Sequence, residues 1–451
     1  DVYSPDPTIL NPANEAIQSK FDNDKRFLLD ISTRILMLEN SEDDRIKKAK
    51  LLSAVMLSQI LNVRNNLEEL RSNLIQNREL TDQIINALRQ NVFSADASIR
   101  NVSAQCYSYL FAILTKYWQD GIDDIVKSFP NPSLLPYGYI GLISIMREII
   151  NLIQTVDGIV PNFNDQFGQT ILFCIDILSK DKSDERYIPE LRIEACRFIH
   201  DIIYMYKEIF DEGDSKASKI PFLLENLGNS FQIINIDLCL ILHRLLFMII
   251  KQYYPQSPLF IDQISSYIYN CFEIYSTKPD FLNISIFFWR EVSTLEENIV
   301  TKCDIDEKLC RPTTVERLDT LLSQSASEKL IPILLDFIEN IDENNTDVED
   351  VEKNPKPSMY SVVTIASFYQ LLPKLMFKMV RQRIEEIIPK IKNWTNIHSV
   401  ILMIYSIADE PLDEIVGEYI SNKFDLLIQA SLPNQVPRLR ETALFVIGLA
   451  I

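Results

Sequence analysis

The densest run of ionisable side chains in this chain is carboxylic. Glu339, Asp342, Glu343, Asp347, Glu349, Asp350 and Glu352 all precede the first base, Lys353. Carboxylates crowded in this way can meet a basic patch on a partner. They cannot pack, so the span 339–357 is expected to be a solvated loop between two apolar helices. Thiol and imidazole chemistry is sparse by comparison. The cysteines, Cys106, Cys174, Cys196, Cys239, Cys271, Cys303 and Cys310, are odd in number and form no C-x-x-C pair, which reads as reduced thiols. Cys303 and Cys310 are the closest two, but a gap of 6 residues with no histidine nearby is not a zinc spacing. The histidines His200, His243 and His398 lie far apart with no metal-like or Cys/His partner spacing, and each is expected to be structural. No G-x-x-x-x-G-K and no G-x-S-x-G occurs, and paired carboxylates fall in turns, where they cap helices. The expectation is a chain that is not an enzyme and uses no metal or cofactor.

The elements that carry these residues follow from composition and period. The 451 residues include only 9 glycines, too few for the φ > 0 positions of β or α/β folds. Hydrophobic residues make up 47% and charged residues 24%, enough to bury a large core. The net charge of −19 repels phosphate backbones and attracts basic partners, which argues against direct nucleic-acid binding. Residues 1–14 lack a basic, then apolar, signal-peptide pattern. The charge-free stretch 128–146 is broken by Pro130, Pro132 and Pro136, so no membrane insertion is expected.

Apolar residues recur at helical spacing, as in Phe27, Ile31, Ile35 and Leu38, then Ala54, Leu57 and Leu61. Polar breaks such as Asp43-Asp44, Ser94-Ala95-Asp96 and Ser179-Lys180-Asp181 separate the runs. Second-helix segments are read to begin near Ile46, Ser98, Tyr137, Leu191, Asn235, Phe281, Ser358, Asn396 and Leu439. Most starts lie ~35 to 55 residues apart, around the two-helix HEAT or armadillo period. In Ser98-Ile99-Arg100, Leu191-Arg192 and Leu439-Arg440-Glu441, a charged turn leads to a small residue and then aliphatics. The fold expected is an all-α, HEAT-repeat (armadillo-like) right-handed superhelical solenoid of about nine to ten antiparallel helix pairs. It would run over 1–451 as one domain. Because Ile451 ends an apolar helical run, the solenoid is expected to be truncated there.

At the C-terminal end, Val436-Pro437-Arg438-Leu439-Arg440-Glu441-Thr442-Ala443, followed by Phe445 and Gly448, resembles a segment of the importin-β (karyopherin-β) family. That segment reads Pro-Arg-Val-Arg-Asp-Thr-Ala-Ala-Trp. Asn393-Trp394 and Glu410-Pro411 resemble the family's Trp-containing helix and Glu-Pro turn, and the acidic run falls where the family carries an acidic loop, in the eighth repeat. Asn11-Pro12-Ala13-Asn14-Glu15-Ala16 is similar to the family's first helix, within an importin-N-terminal-like region 1–75. Ser103-Ala104-Gln105-Cys106 and Phe288-Trp289 fit the second and seventh repeats. The resemblance covers essentially the whole chain and is that of a divergent member's N-terminal half.

The resemblance implies a monomeric nuclear import receptor that binds Ran-GTP, phenylalanine-glycine nucleoporins, and basic cargo or an importin-α-type adaptor. Such a receptor works in cytoplasm and nucleus and at the nuclear pore. Ran-GTP would meet the first repeats around Ala54, Gln105 and Tyr139, together with the acidic loop at Asp342, Glu343, Asp347, Glu349, Asp350 and Glu352. Nucleoporins would use Ile171, Ile175, Phe222 and Leu223, and cargo or adaptor would face Trp394 and Phe445. Two departures stand out: Ser58-Gln59 replaces a lysine frequent in the first repeat, and Phe445 stands where the family has Trp. The alternative is a HEAT-repeat scaffold subunit of a non-transport complex, with the acidic run as linker.

Overall fold

The computed structural model describes residues 24–39, 43–62, 67–115, 121–129, 136–155, 163–211, 219–305, 321–341, 356–408 and 414–450, with a few isolated positions besides. Among them every regular element is helical. The chain divides into two compact units, Asp1–Ile233 and Ile234–Ile451. The first holds α1 (Lys25–Leu36), α2 (Asp44–Leu61), α3 (Leu67–Gln76), α4 (Arg78–Val92), α5 (Ala97–Leu114), α6 (Gly121–Ser128), α7 (Pro136–Thr155), α8 (Asn164–Ser179), α9 (Pro189–Met205), α10 (Lys207–Asp211), α11 (Lys219–Glu225) and α12 (Gly228–Phe231). The second holds α13 (Ile236–Gln252), α14 (Ile261–Ile274), α15 (Pro279–Ile305), α16 (Leu322–Glu339), α17 (Pro357–Leu371), α18 (Pro373–Ile387), α19 (Trp394–Tyr405), α20 (Glu414–Ser421), α21 (Phe424–Ser431) and α22 (Pro437–Ala450).

All the second helices read from the sequence are present, as α2, α5, α7, α9, α13, α15, α17, α19 and α22, each starting within 2 residues of its expected position. Local chemistry explains the agreement. The carboxylate or amide of Asp43, Asp96, Asn235 and Asn393 accepts a backbone N–H two or three residues on, satisfying a donor the helix itself cannot. Pro189 and Pro357 open their helices where a missing N–H loses no hydrogen bond.

Within the first unit α2 packs on α5, α5 on α7 and α7 on α9; within the second, α13 packs on α15, α15 on α17 and α19 on α22. The first helices α1, α4, α8, α14, α16, α18 and α21 each pack on the second helix that follows. This is the antiparallel-pair stacking of HEAT repeats. Ala54, Leu57 and Leu61 are fully buried as expected, whereas Phe27 and Ile31 are exposed. α1 packs on both α2 and α4, which turns its buried face by about one residue, onto Leu28, Leu29, Ser32, Thr33 and Leu36.

Buried bases close the pairs. Arg192 is completely buried in α9 and donates to the carbonyls of Leu178 (3.1 Å), Lys180 (2.9 Å), Asp181 (3.1 Å) and Tyr187 (3.1 Å), and to Ser230 Oγ (3.0 Å). It thereby terminates α8 and its turn in one step. Arg100 does the same for the turn after α4, through the carbonyls of Ser94 (2.7 Å) and Ala95 (3.2 Å). Arg440, which is only partly buried, reaches the Pro433 carbonyl (3.3 Å) before α22. The small residue after the base has its counterpart in Ala104, Ala195 and Ala443, all without exposed surface. Gly141 lets α7 pass close to the end of α4, where a Cβ would collide with the Val92 carbonyl. In the second unit, the fully buried Glu296 accepts from Tyr254 Oη (2.7 Å) and from the backbone N–H of Leu322 (2.6 Å) and Ser323 (3.0 Å), so α15 supplies the N-terminal cap of α16.

Replacing Arg192 with Met should lower unfolding free energy by about 3 kcal/mol, because several buried carbonyls lose a charged donor at once. The measurement is the urea midpoint. Arg186→Met, at an exposed base of the same turn region, should leave that midpoint unmoved; equal shifts would show that the turn does not depend on the guanidinium.

Candidate functional site

The acidic-loop carboxylates Asp342, Glu343, Asp347, Glu349, Asp350 and Glu352 lie outside the described residues, as do Glu410, Pro411 and Cys310. The run's first member, Glu339, ends α16 and is paired, with Asp336, to Arg383 of α18. That pairing anchors the entry to the acidic segment on the neighbouring first helix.

The three Ran-associated positions do not share one surface. Ala54 is fully buried, and its carbonyl accepts from Cys106 Sγ (3.3 Å). Gln105, on α5, is half-buried and spans two repeats: its Oε1 accepts from Ser58 on α2 (3.1 Å) and its Nε2 donates to Tyr109 (3.2 Å). Tyr139 turns the other way, donating to the Asn131 carbonyl (2.6 Å) and resting on Phe173 of the first helix α8 (ring centroids 5.3 Å). Gln105 and Tyr139 both sit on second helices with partly open surface, and Ser58 is the partner of Gln105 across the repeat boundary.

The nucleoporin positions separate by exposure. Ile171, Ile175 and Leu223 are core residues with at most 1% of their surface exposed, so they offer no slot. Phe222 is 46% exposed, and Leu172, beside Ile171 on α8, is 51% exposed. The correction has a simple cause: α8 packs on α6, α9 and α12, so it buries more than the single face that a 3.6-residue period identifies.

Trp394 and Phe445 also lie apart. Trp394 opens α19, half-buried, with its ring 6.0 Å from that of His398. Phe445, on α22, is 54% exposed and meets Tyr405, the last residue of α19, edge to face at 5.1 Å. Eleven helical steps separate Trp394 from Tyr405, about 16 Å along the axis. Between them, buried His398 bonds through Nε2 to Thr442 Oγ1 of α22 (3.0 Å) and leaves Nδ1 without a partner. Burial, reinforced by the charge of Arg438, pushes its pKa down to about 3.

Two clusters escaped the sequence. On α7 and α9, Arg147 donates to Glu194 (2.8 Å) and Asp201 (3.0 Å), Ser144 donates to Glu194 (3.1 Å), and His200 Nδ1 lies 3.2 Å from Asp201. Burial opposes the Asp201 carboxylate, but the bonds from His200 and Arg147 outweigh it and hold its pKa below the usual range. Glu148 beside them is raised by burial in spite of Arg147. In the second unit, Cys239 and Cys271 meet at His243. The imidazole Nδ1 donates to the Cys239 carbonyl (2.8 Å) and Nε2 accepts from Ser285 (3.1 Å). A hydrogen bond from Cys239 holds the Cys271 thiol low. The Cys/His proximity that linear spacing did not suggest is therefore real, and the i,i+4 pair Cys239 and His243 was its signal. All four side chains are buried, and the cluster ties α13, α14 and α15 together. No three His, Cys, Asp or Glu side chains among the described residues are arranged to hold a metal ion, and no helix among them is long and apolar enough to cross a membrane.

No protein-family model matches the sequence, and no curated protein matches it. Solved structures do. Yeast importin-β (Kap95p) superposes with a TM-score of 0.77 at 16% identity, covering 99% of this chain and 49% of that one. Kap95 in its Nup1 complex gives 0.77 at 15% identity, with 99% and 49% covered, and Kap121p bound to Pho4p gives 0.67 at 14%, with 99% and 40% covered. The fold is that of the importin-β karyopherins. This chain spans about half the length of those importin-β structures. Side chains such as Gln105, Glu194, Trp394 and Phe445 lie on the stacked second helices, Leu172 on the first helix α8 and Phe222 on the short helix α11.

Because His398 stays neutral in the folded chain, the unfolded chain takes up its proton first as pH falls below about 6.5, and stability drops until the folded value near 3 is reached. The loss should be about 1 kcal/mol between pH 6.5 and 5.5. Urea melts across that range should show it, and His398→Gln should remove that part of the slope; an unchanged slope would place the titration elsewhere.

Proposed function

We propose that this protein is a nuclear import receptor of the importin-β type, a binding protein and not an enzyme, that takes cargo or an importin-α-type adaptor and releases it on binding Ran-GTP. The observation that carries the reading is the superposition of 99% of the chain on Kap95p at a TM-score of 0.77, together with the carboxylate run in the sequence between α16 and α17. Kap95p is a protein whose binding shifts the switch loops of RanGDP and which forms a complex with Nup1, and Kap121p binds Pho4p and Ste12p. The same partner classes are proposed here: Ran, phenylalanine-glycine nucleoporins and protein cargo, met by a monomeric receptor moving between cytoplasm and nucleus through the pore.

The mechanism proposed is mechanical. Cargo stabilises one curvature of the stacked repeats, Ran-GTP another, and the difference in affinity expels cargo without any covalent step. The acidic loop (Asp342, Glu343, Asp347, Glu349, Asp350, Glu352) suits a basic surface on Ran or cargo, and competition for it would couple the two ligands. Gln105 with Ser58 is the surface element proposed for the N-terminal Ran contact. Phe222 and Leu172 are proposed for nucleoporin phenylalanines, and Phe445 and the half-buried Trp394 for cargo.

Calorimetric titration with Ran loaded with a non-hydrolysable GTP analogue, and separately with GDP, tests the reading. Binding should favour the GTP form, and neutralising the six loop carboxylates should weaken it about tenfold, or about 1.4 kcal/mol. Absent or equal binding to both forms would sink the receptor reading in favour of a non-transport HEAT scaffold. A second measurement uses immobilised phenylalanine-glycine peptide: Phe222→Ser should lower its capture several-fold, and unchanged capture would remove that residue from the nucleoporin surface.

A further inference from the structure

One surface of this acidic chain has the opposite sign, and the transport reading does not use it. Residues 373–392 contain six bases, Lys374, Lys378, Arg381, Arg383, Lys390 and Lys392, against two acids, Glu385 and Glu386, in a chain whose net charge is −19. The bases divide into two groups by geometry. Arg383 is consumed within the fold by Asp336 and Glu339. Lys374, Lys378 and Arg381 recur at i, i+4 and i+7, a single stripe on α18 turned away from the buried stripe Met376, Val380, Ile384 and Ile387. All three are exposed, as are Lys390 and Lys392 just beyond the helix. Among the described residues none of these five has a carboxylate within ion-pair distance. The nearby Glu385 is occupied by Lys423 (3.0 Å) and the Tyr419 hydroxyl (2.9 Å).

Helix stability does not account for the stripe. Like charges four apart repel, by about 0.2–0.5 kcal/mol per pair. Lys374 sits in the first turn, where the helix dipole disfavours a cation. Arg381 is also held in place, its guanidinium over the rings of Tyr419 (5.4 Å) and Phe377 (6.0 Å), which meet edge to face at 5.6 Å. A guanidinium stacked this way keeps its N–H edge free for a bidentate carboxylate and has little rotamer freedom left to lose.

We propose that the α18 face, with Lys374, Lys378 and Arg381 at its centre and Lys390 and Lys392 at its end, docks a short acidic peptide segment of a partner protein. The stripe from Lys374 to Arg381 is about 10 Å long, which a segment in the polyproline II conformation covers with carboxylates three residues apart on one face. The partly exposed Phe377 beside Arg381 offers an apolar contact for a side chain between them. A short segment suits the site better than a polyanion. With a screening length of about 8 Å at physiological salt, a few carboxylates feel mainly this island. Nucleic acid or an anionic bilayer would press many more charges against the acidic surface around it.

The probe is a fluorescent twelve-residue peptide with four Asp or Glu residues and one aromatic, titrated by anisotropy into the whole chain at about 50 mM salt. The peptide should bind, more weakly at higher salt, and Lys374→Ala/Lys378→Ala/Arg381→Ala should weaken it at least tenfold. A control with the same charge change elsewhere, Lys25→Ala/Lys127→Ala/Lys182→Ala, should retain most of the affinity; thermal melts of both variants confirm folding. No binding, or equal loss in the two variants, overturns the proposal. So does preferential, α18-dependent binding of phosphatidylserine vesicles or of poly-U, which would assign the face to a polyanion. Concentration-dependent dimerisation in sedimentation that the α18 variant abolishes also overturns it, since the occupant would then be a second copy. The test is independent of Ran binding, so either proposal can fail alone.

Discussion

Stacking helix pairs leaves a specific debt at every turn: the last carbonyls of one helix are covered by the next pair and cannot reach water. In this protein buried guanidiniums answer that constraint. Arg192 gathers four carbonyls and a hydroxyl around a fully desolvated side chain, and Arg100 serves the turn after α4 in the same way. The Arg192 charge is tolerable because each of its guanidinium nitrogens points at an acceptor. The angle between the two helices of a pair is thereby tied to one side chain, and the next pair packs on the result.

The same logic governs the second unit with different atoms. Glu296 reaches from α15 to the N-terminus of α16, closing a long connection with a carboxylate where the first unit uses bases at helix C-termini. Both devices place charge against the helix end of opposite partial sign. His243 and His398 link helices by hydrogen bonds alone: each is buried and bonds a second helix through one ring nitrogen. With the inter-repeat contacts satisfied internally, the exposed faces of the helices are left available for partners. The chemistry proposed for them is that of surfaces: carboxylates, scattered exposed rings such as Phe222 and Phe445, and one stripe of bases on α18.

A chain with 14–16% identity to the structures it superposes on keeps the fold while most of its residues differ. That is the expected outcome when stability is a sum over neighbouring pairs, each of which needs apolar volume, a small residue at the crossing and a satisfied turn, but no particular outward residue. Ser58 is a case in point: it departs from the family pattern and is bonded to Gln105 in the next repeat.

Much of the architecture was legible in the residues alone. Scarce glycine, apolar period and turn chemistry determined an all-helical stack and the starts of its second helices, because capping and proline effects act within three or four residues of chain. The role of Arg100 and Arg192 at the turns was legible for the same reason. The tertiary structure alone decided which aliphatics were surface. Ile171, Ile175 and Leu223 fit a helical stripe as well as Leu172 and Phe222 do, and only the tertiary packing around each side chain separates core from slot. It alone decided, too, that Cys271 meets His243, that Arg147 holds Glu194 and Asp201, and that among the described residues Lys374, Lys378 and Arg381 have no carboxylate within ion-pair distance while Arg383 is paired. Those pairings join residues about 30 to 60 positions apart, and a one-dimensional period carries no information about which repeat faces which.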